Sequence, residues 1–283
     1  MDRTKIEWCD STWNPVTGCL HDCEYCYAKK MAHRFGGAFG TEENFIGSTW
    51  STEADGSNHV LDLPIKDECK EKTAPYPFEF DPTFHRYRLD EPQHWKKPRT
   101  IFVCSMADLF GEWVPDEWIE AVFEACAKAP QHRYLFLTKN PQRYVELDGR
   151  NKLPIRDNMW YGASVTTPEQ AEETAKRFGK LPCTPKQANT FLSVEPMLFD
   201  IAKHNAWKLF CSGYYADWII VGAETGNRKD KVIPQREWLN SIAADCNDYG
   251  KPVFMKDSLI PIIGEENMLR EFPWETPEQR KEG

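Results

Sequence analysis

Short, continuous apolar runs recur along the chain, each followed by a polar or amphipathic stretch. Residues 101–104 form the first clear run, and residues 134–137, 159–165, 190–194, 218–221 and 252–255 follow. All are rich in Ile, Val, Phe, Leu and Tyr. None alternates as a strand wetted on one face would, so they predict strands buried on both faces of a parallel sheet. A further strand around residues 12–17 brings the set to about seven. Helical spacing fills several of the intervals. Residues 115–129 start at a proline and gather Trp118, Ile119, Val122, Phe123 and Cys126 on one face. Residues 167–178 align Ala171, Thr174, Ala175 and Phe178. Residues 235–249 align Trp238, Leu239, Ile242, Ala243 and Cys246, then stop at Gly250. Residues 23–35 read as a helix that ends at Gly36 and Gly37.

Strand–helix alternation implies a parallel sheet covered by helices, and the strand spacing of mostly ~25–35 residues suits a βα repeat. The pattern allows a closed (β/α)₈ barrel, an open partial barrel or a doubly wound sheet. In either barrel form the C-terminal strand ends carry the chemistry. Residues 36–98 break the rhythm with Gly-Gly, Asp-Gly-Ser, several prolines and a charged run at 66–72, so they read as an irregular insertion. The aromatics Phe78, Phe80, Phe84, Tyr87 and Trp95 predict that its second half packs on the body. The domain plan is one body over residues 1–270, with the insertion at about 36–98, and a C-terminal tail over 271–283.

Composition narrows the class. The chain has 283 residues, 41% hydrophobic and 28% charged, enough for a sizeable core in one large or two small domains. No apolar run approaches ~18 residues, so no membrane span is expected. The N-terminal residues lack the basic-then-apolar layout of a secretion signal, and a cytoplasmic location is the expectation. Net charge is −9, which argues against wide non-specific contact with nucleic acid but leaves room for a local basic groove. Ten cysteines are many for a reduced compartment. Cys19, Cys23 and Cys26 crowd together while the rest scatter, which points to one metal site plus isolated thiols. Cys104, Cys126 and Cys246 fall on apolar strands or helix faces and read as small buried hydrophobes.

The crowded stretch is Cys19-Leu-His-Asp-Cys23-Glu-Tyr-Cys26. Three thiolates on so short a loop suit an iron–sulfur cluster or zinc. A cubane has four irons, so three cysteines leave one iron open to a small ligand. A structural zinc would want a fourth protein ligand, and no second Cys-x-x-Cys exists. The C-x3-C-x2-C spacing, with Tyr25 before the last cysteine, resembles the signature of the radical SAM superfamily. Trp13-Asn-Pro-Val-Thr-Gly-Cys19 and Cys26-Tyr-Ala are similar to a phage-associated and bacterial radical SAM family of unassigned function. So are Trp95-Lys-Lys-Pro-Arg-Thr-Ile-Phe-Val-Cys-Ser-Met-Ala-Asp-Leu-Phe-Gly111, Leu137-Thr-Lys139, Ser193-Val-Glu-Pro196 and Val221-Gly-Ala-Glu224. The resemblance spans nearly the whole chain apart from residues near 40–76. The architecture expected with it is a partial (β/α)6-8 TIM-like barrel of mainly parallel strands.

The resemblance implies a [4Fe–4S] cluster on Cys19, Cys23 and Cys26, with S-adenosylmethionine (SAM) chelating the open iron. An electron from a reducing donor then splits SAM to methionine and a 5′-deoxyadenosyl radical that abstracts hydrogen from substrate. Tyr25 belongs to the cofactor-binding set. Cys104-Ser-Met-Ala-Asp108 takes the place of the superfamily's Gly-Gly-Glu block and departs from it, so Ser105, Asp108 or backbone carbonyls must substitute, with Met106 near the adenosyl group. Ser164 and Thr166 are candidates for the ribose, and Gly222 for close approach to the adenine. Lys139 suits the SAM carboxylate or a substrate phosphate, Glu195 an active-site carboxylate, and Glu224 the substrate or a polar SAM group. Lys256 follows the strand at 252–255 and either faces the same opening or is a surface lysine. Phage association favours a nucleic-acid base or nucleotide as substrate, which Trp95, Lys96, Lys97 and Arg99 would help contact. Two other classes compete: a non-catalytic zinc- or cluster-binding recruitment module, and a doubly wound methyltransferase. The latter needs a Gly-rich loop after the first strand, which the sequence lacks. The substrate's identity and the oligomeric state are not written in it.

Overall fold

The computed structural model describes residues 4–36, 50–52, 58–67, 72–181, 188–212 and 215–280. Two compact units make up the chain: Met1–Thr4 with Cys9–Phe136, and Lys5–Trp8 with Leu137–Gly283. Seven strands form one sheet: β1 (Ser11–Trp13), β2 (Thr100–Val103), β3 (Arg133–Thr138), β4 (Met159–Ser164), β5 (Asn189–Val194), β6 (Trp218–Val221) and β7 (Val253–Met255). Their spatial order is their order along the chain, and β1–β2, β2–β3, β4–β5, β5–β6 and β6–β7 pair in parallel. A sequential order excludes the doubly wound sheet, where the order reverses at a switch point. The protein is therefore α/β with a seven-stranded parallel sheet. The six apolar runs all became strands within a residue or two of their expected bounds. They are buried along nearly their whole length because helices cover a parallel sheet on its faces.

In the first unit the expected strand at 12–17 is broken. Asn14 and Pro15 interrupt it, and proline has no N–H to continue the ladder. Ser11–Trp13 stays in the main sheet, while Val16–Thr17 turns away and pairs with Thr83–His85. Thr83–His85 in turn pairs with His59–Leu61, which pairs with Trp50–Thr52. The stretch expected to be irregular thus carries a second, four-stranded sheet. Short strands with few alternating positions gave no periodic signal. Residues 37–49, 53–57 and 68–71, with Cys69, lie outside the described residues. Helix α1 (Tyr27–Phe35) starts four residues later than the sequence suggested, because residues 23–26 form a turn closed by Cys26 N–H to Cys23 C=O (3.0 Å) and Cys26 is the extended cap. Helix α2 (Asp116–Lys128) buries Trp118, Ile119, Val122, Phe123 and Cys126, the face its spacing predicts.

In the second unit, α3 (Gln142–Gly149), α4 (Pro168–Phe178), α5 (Trp207–Ser212) and α6 (Arg236–Asp248) follow strands. Thr167 and Gln170 close a capping box at the start of α4, with Pro168 in its first turn. Ala171, Ala175, Leu239, Ile242 and Cys246 meet Leu192, Val194, Ile219 and Val221 in one core. The expected tail does not begin at 271. Met255 N–H donates to Leu269 C=O (2.7 Å) and Glu271 N–H to Val253 C=O (2.9 Å), so residues 269–271 shield the outer edge of β7. Phe272 and Trp274 stack at 5.2 Å, and each also packs on Trp218. Partly covering two large rings, together with the backbone bonds to β7, offsets the entropy that would free this stretch. Cys183 lies outside the described residues. Among the described residues no helix is long and apolar enough to cross a membrane.

Candidate functional site

The cysteine loop of the first unit leaves Val16–Thr17 at Gly18, whose φ is +87°. A Cβ there would sit 2.2 Å from the Asp81 carbonyl oxygen, so only glycine passes. Gly18 N–H donates to Met106 C=O (2.9 Å) and Cys19 N–H to Phe80 C=O (3.1 Å), which fastens the loop to the segment after β2 and to the second sheet's flank. At its far end Cys26 caps α1, its Sγ accepting the Lys29 N–H at 3.3 Å. Cys19, Cys23 and Cys26 form no disulfide and are half-buried. Cys19 and Cys26 pack on an apolar floor of Ala28, Ala32, Phe80 and Met106. Burial pushes the Cys19 thiol up to about 12, and Asp108, Cys23 and Cys26 push it the same way, against a backbone hydrogen bond from His21.

Among the described residues no group of three or more His, Cys, Asp or Glu side chains is arranged to hold a metal ion. The donor chemistry fits a sulfur-ligated cluster. The thiols are not joined by disulfides, they share one loop, and a cationic cluster would offset the negative neighbours that oppose thiolate formation. The thiolates of a cubane each take a separate iron, so they need not converge on one point.

The segment after β2 faces this loop and is held from beneath. Cys104, buried and at φ +58°, turns the chain out of the strand. Asn14 Oδ1 accepts both the Ser105 hydroxyl (3.1 Å) and the Met106 N–H (3.0 Å). The Tyr27 hydroxyl donates to Ser105 C=O at 2.8 Å. Arg88 braces the underside, donating to Asn14 C=O while Trp13 Nε1–H donates to Arg88 C=O. Asp108 is occupied: Oδ2 bonds His21 Nε2 at 2.7 Å and Oδ1 accepts the Phe110 N–H at 3.0 Å. His21 thus points at Asp108, with its ring 4.9 Å from Trp113. Met106 is part of the apolar floor, and Tyr25 lies half-buried between two of the cysteines.

Trp95, Lys96, Lys97 and Arg99 precede β2, whereas Gly18 and Ala107 bridge beyond its far end. The strand separates them from the cysteine loop by about four residues at roughly 3.3 Å each. The Arg99 guanidinium covers the Trp95 ring at 4.7 Å and donates to the Ser11 hydroxyl. A base held at the cysteine loop would not meet this group.

In the second unit, Glu195 follows β5 and forms an ion pair with Lys256, which follows β7. Glu7 adds a second carboxylate 3.8 Å from the Lys256 ammonium. Gly222, after β6, makes room for the pair: a Cβ would lie 3.1 Å from Lys256 Cδ and 3.3 Å from Glu195 Cγ. Lys256 N–H donates to Val221 C=O and Ala223 N–H to the Ser258 hydroxyl, so these strand ends are tied together. Glu224, buried, is gripped by Arg228 through two 2.7 Å contacts. The Thr166 hydroxyl and N–H both donate to Gln170 Oε1, in the cap of α4. Ser164 is buried at the end of β4 opposite Ser193, and Lys139 is half-buried just past β3.

Sequence reasoning missed Asn14, the His21–Asp108 pair, Glu7 and Arg228. Asn14 stood inside a quoted motif, but its partners are 91 and 92 residues away. Arg228, four residues after Glu224, was the one with a local signal. A family model described as a protein of unknown function, DUF5131, matches residues 3–259.

The chain belongs to the DUF5131 family.

No curated protein and no solved structure matches it. The DUF5131 match covers the cysteine loop, the segment after β2 and the Glu195–Lys256 pair alike.

Proposed function

We propose that this DUF5131 chain is a radical SAM enzyme with a partial (β/α) TIM-like barrel, acting on a nucleotide or nucleic-acid base. The observation that carries the reading is a single short loop holding Cys19, Cys23 and Cys26, none in a disulfide, with Cys19 and Cys26 packed on an apolar floor. Cys19, Cys23 and Cys26 would hold a [4Fe–4S] cluster, which would supply the one electron needed to split SAM into methionine and the radical that takes hydrogen from substrate.

The chain's own residues supply position and exclusion of water. Met106, Phe80, Ala28 and Ala32 keep water from behind the thiols. Asn14 fixes Ser105 and Met106, so that Ser105 stands beside the loop in one orientation. Both Asp108 oxygens already accept hydrogen bonds, and we reassign this residue from cofactor contact to brace. In the second unit Glu195 is the carboxylate we assign to SAM or substrate. Lys256 pairs with it, and Gly222 leaves room beside the pair. Glu224 and Thr166 hold their loops through Arg228 and Gln170.

Anaerobic reconstitution with iron and sulfide tests the reading. Stoichiometric iron and sulfide, a visible cluster spectrum, and 5′-deoxyadenosine on adding SAM and dithionite are expected. One zinc per chain without iron would favour the recruitment module and sink the enzyme. Mass spectrometry of deuterium passing from labelled nucleosides or oligonucleotides into deoxyadenosine identifies the substrate class.

A further inference from the structure

Asp108 stands in the block where the resemblance places a SAM contact, yet both of its oxygens are taken within the first unit. Oδ2 bonds His21 Nε2 at 2.7 Å, and Oδ1 accepts the Phe110 N–H at 3.0 Å. An acid whose oxygens are occupied still acts through its charge. Asp108 is only 5% exposed, so water and salt screen that charge weakly. The cysteine loop lies beside it. Gly18 bridges Ala107 and its N–H donates to Met106 C=O, which fastens the residue before Cys19 to the residues before Asp108. His21 joins the two more closely, because its ring holds Asp108 while its backbone bonds Cys19. The carboxylate is near enough to push the Cys19 thiol up, and it acts on Cys104 in the same direction. A second acid of the loop, Asp22, is placed differently. It is exposed and paired with Lys29, so solvent and a cation both weaken its field.

A fixed negative charge disfavours the arrival of an electron nearby, and local charge is one of the protein's levers on a metal centre. We propose that Asp108 lowers the reduction potential of a cluster held by Cys19, Cys23 and Cys26, with His21 as the positioning residue that keeps the charge beside the loop. A lower potential makes a stronger one-electron donor, which suits the splitting of SAM. In the reduction the external reductant loses one electron and the cluster gains it; no proton or group moves. A buried unit charge at such range shifts a one-electron equilibrium on the order of tenfold, about 59 mV. This inference rests on the radical SAM reading and gives Asp108 a part in it beyond bracing the loop.

The test is a mediated redox titration of the reconstituted full chain, followed by electron paramagnetic resonance. Asp108→Asn keeps the side chain's shape and removes its charge. At a fixed applied potential its ratio of reduced to oxidised cluster should exceed the parent's by roughly tenfold. His21→Gln frees the carboxylate to turn away, and a rise of roughly threefold is expected. Asp108→Glu keeps the charge, and Asp22→Asn removes one from the exposed, paired acid; both should stay within about twofold of the parent. Added salt should leave the Asp108→Asn difference in place. Equal potentials in the parent and Asp108→Asn would overturn the proposal. A tenfold rise in Asp108→Glu or Asp22→Asn would do the same, since shape or net charge would then be the cause. If one of Asp108→Asn and His21→Gln takes up no iron, the other decides by the same comparison. Loss of iron from both sinks the idea, because the pair would then build the cluster site rather than tune it. A parent chain that takes up no iron, or whose cluster yields no 5′-deoxyadenosine with dithionite, would fail the radical SAM reading itself. An active parent with unmoved variants fails this inference alone.

Discussion

In the second unit each site carboxylate has a permanent cation: Glu195 faces Lys256 and Glu224 faces Arg228. In the first unit the electrostatic neighbours of Cys19 are Asp108, Cys23 and Cys26, all of which oppose its ionisation. In the second unit the chain sets two cations, Lys256 and Arg228, among three carboxylates, Glu7, Glu195 and Glu224. Cys19 instead has the acid Asp108 and two further thiols as its charged neighbours. The same chain thus builds one framework of ion pairs and one loop whose thiols stand beside an acid. Perturbing each should have different consequences: loss of ligand in one, loss of fold stability in the other.

The largest effect should come from Cys19→Ala, Cys23→Ala or Cys26→Ala. Iron and sulfide after reconstitution should drop to background, and 5′-deoxyadenosine with them, while urea unfolding of the metal-free chain moves little. Full iron content in any of the three would break the comparison. Glu224→Ala comes next, since it strands Arg228 beside a buried site. We expect about 3 kcal/mol of destabilisation in urea, discounted from the fully buried case because Arg228 is part-exposed. Smaller still is the His21–Asp108 contact. A double-mutant cycle of His21→Ala and Asp108→Ala in the metal-free chain should give a coupling of ~1–2 kcal/mol.

His85 offers a pH handle on the first unit. It is buried, with Nε2 2.8 Å from the Thr17 hydroxyl and Nδ1 3.2 Å from the Tyr87 hydroxyl. Burial, and then the Arg88 charge, hold its pKa well below 6.5. The unfolded chain therefore takes up the proton first. Stability from this group is fully present above the ordinary imidazole value and is lost as pH falls through it toward the folded pKa. The loss is at most ~1.4 kcal/mol per pH unit. Unfolding between pH 7 and pH 5 should become less steep with pH in His85→Gln. The smallest effect belongs to Glu195→Gln. Its pair with Lys256 is partly exposed, so stability should change by under ~1 kcal/mol, while SAM binding or turnover falls; unchanged kinetics would count against Glu195.

Strand positions were legible because each is a run of apolar residues buried on both faces, and such burial is written locally. The faces of α2, α4 and α6 were legible for the same reason, through helical spacing. The cysteine loop was legible because its donors are near neighbours in the chain. Less was visible where partners are distant. Asp108 looked like a free carboxylate, but His21 occupies it from 87 residues away. Glu195 read as an active-site carboxylate, and its partner Lys256 lies 61 residues on. Phe272 and Trp274 fell in an expected tail, and rings distant in the chain hold them: Trp218 packs on both, Phe254 on Phe272 and Trp160 on Trp274.

The amino-acid order alone determined the α/β class, the strand and helix positions and the trio of thiols, since all of these follow from local periodicity and spacing. Tertiary structure decided the sequential strand order, the departure of Val16–Thr17 into a second sheet and the pairing of every site carboxylate. Those depend on which distant groups pack side by side, and one residue's chemistry does not reveal the partner that will satisfy or neutralise it.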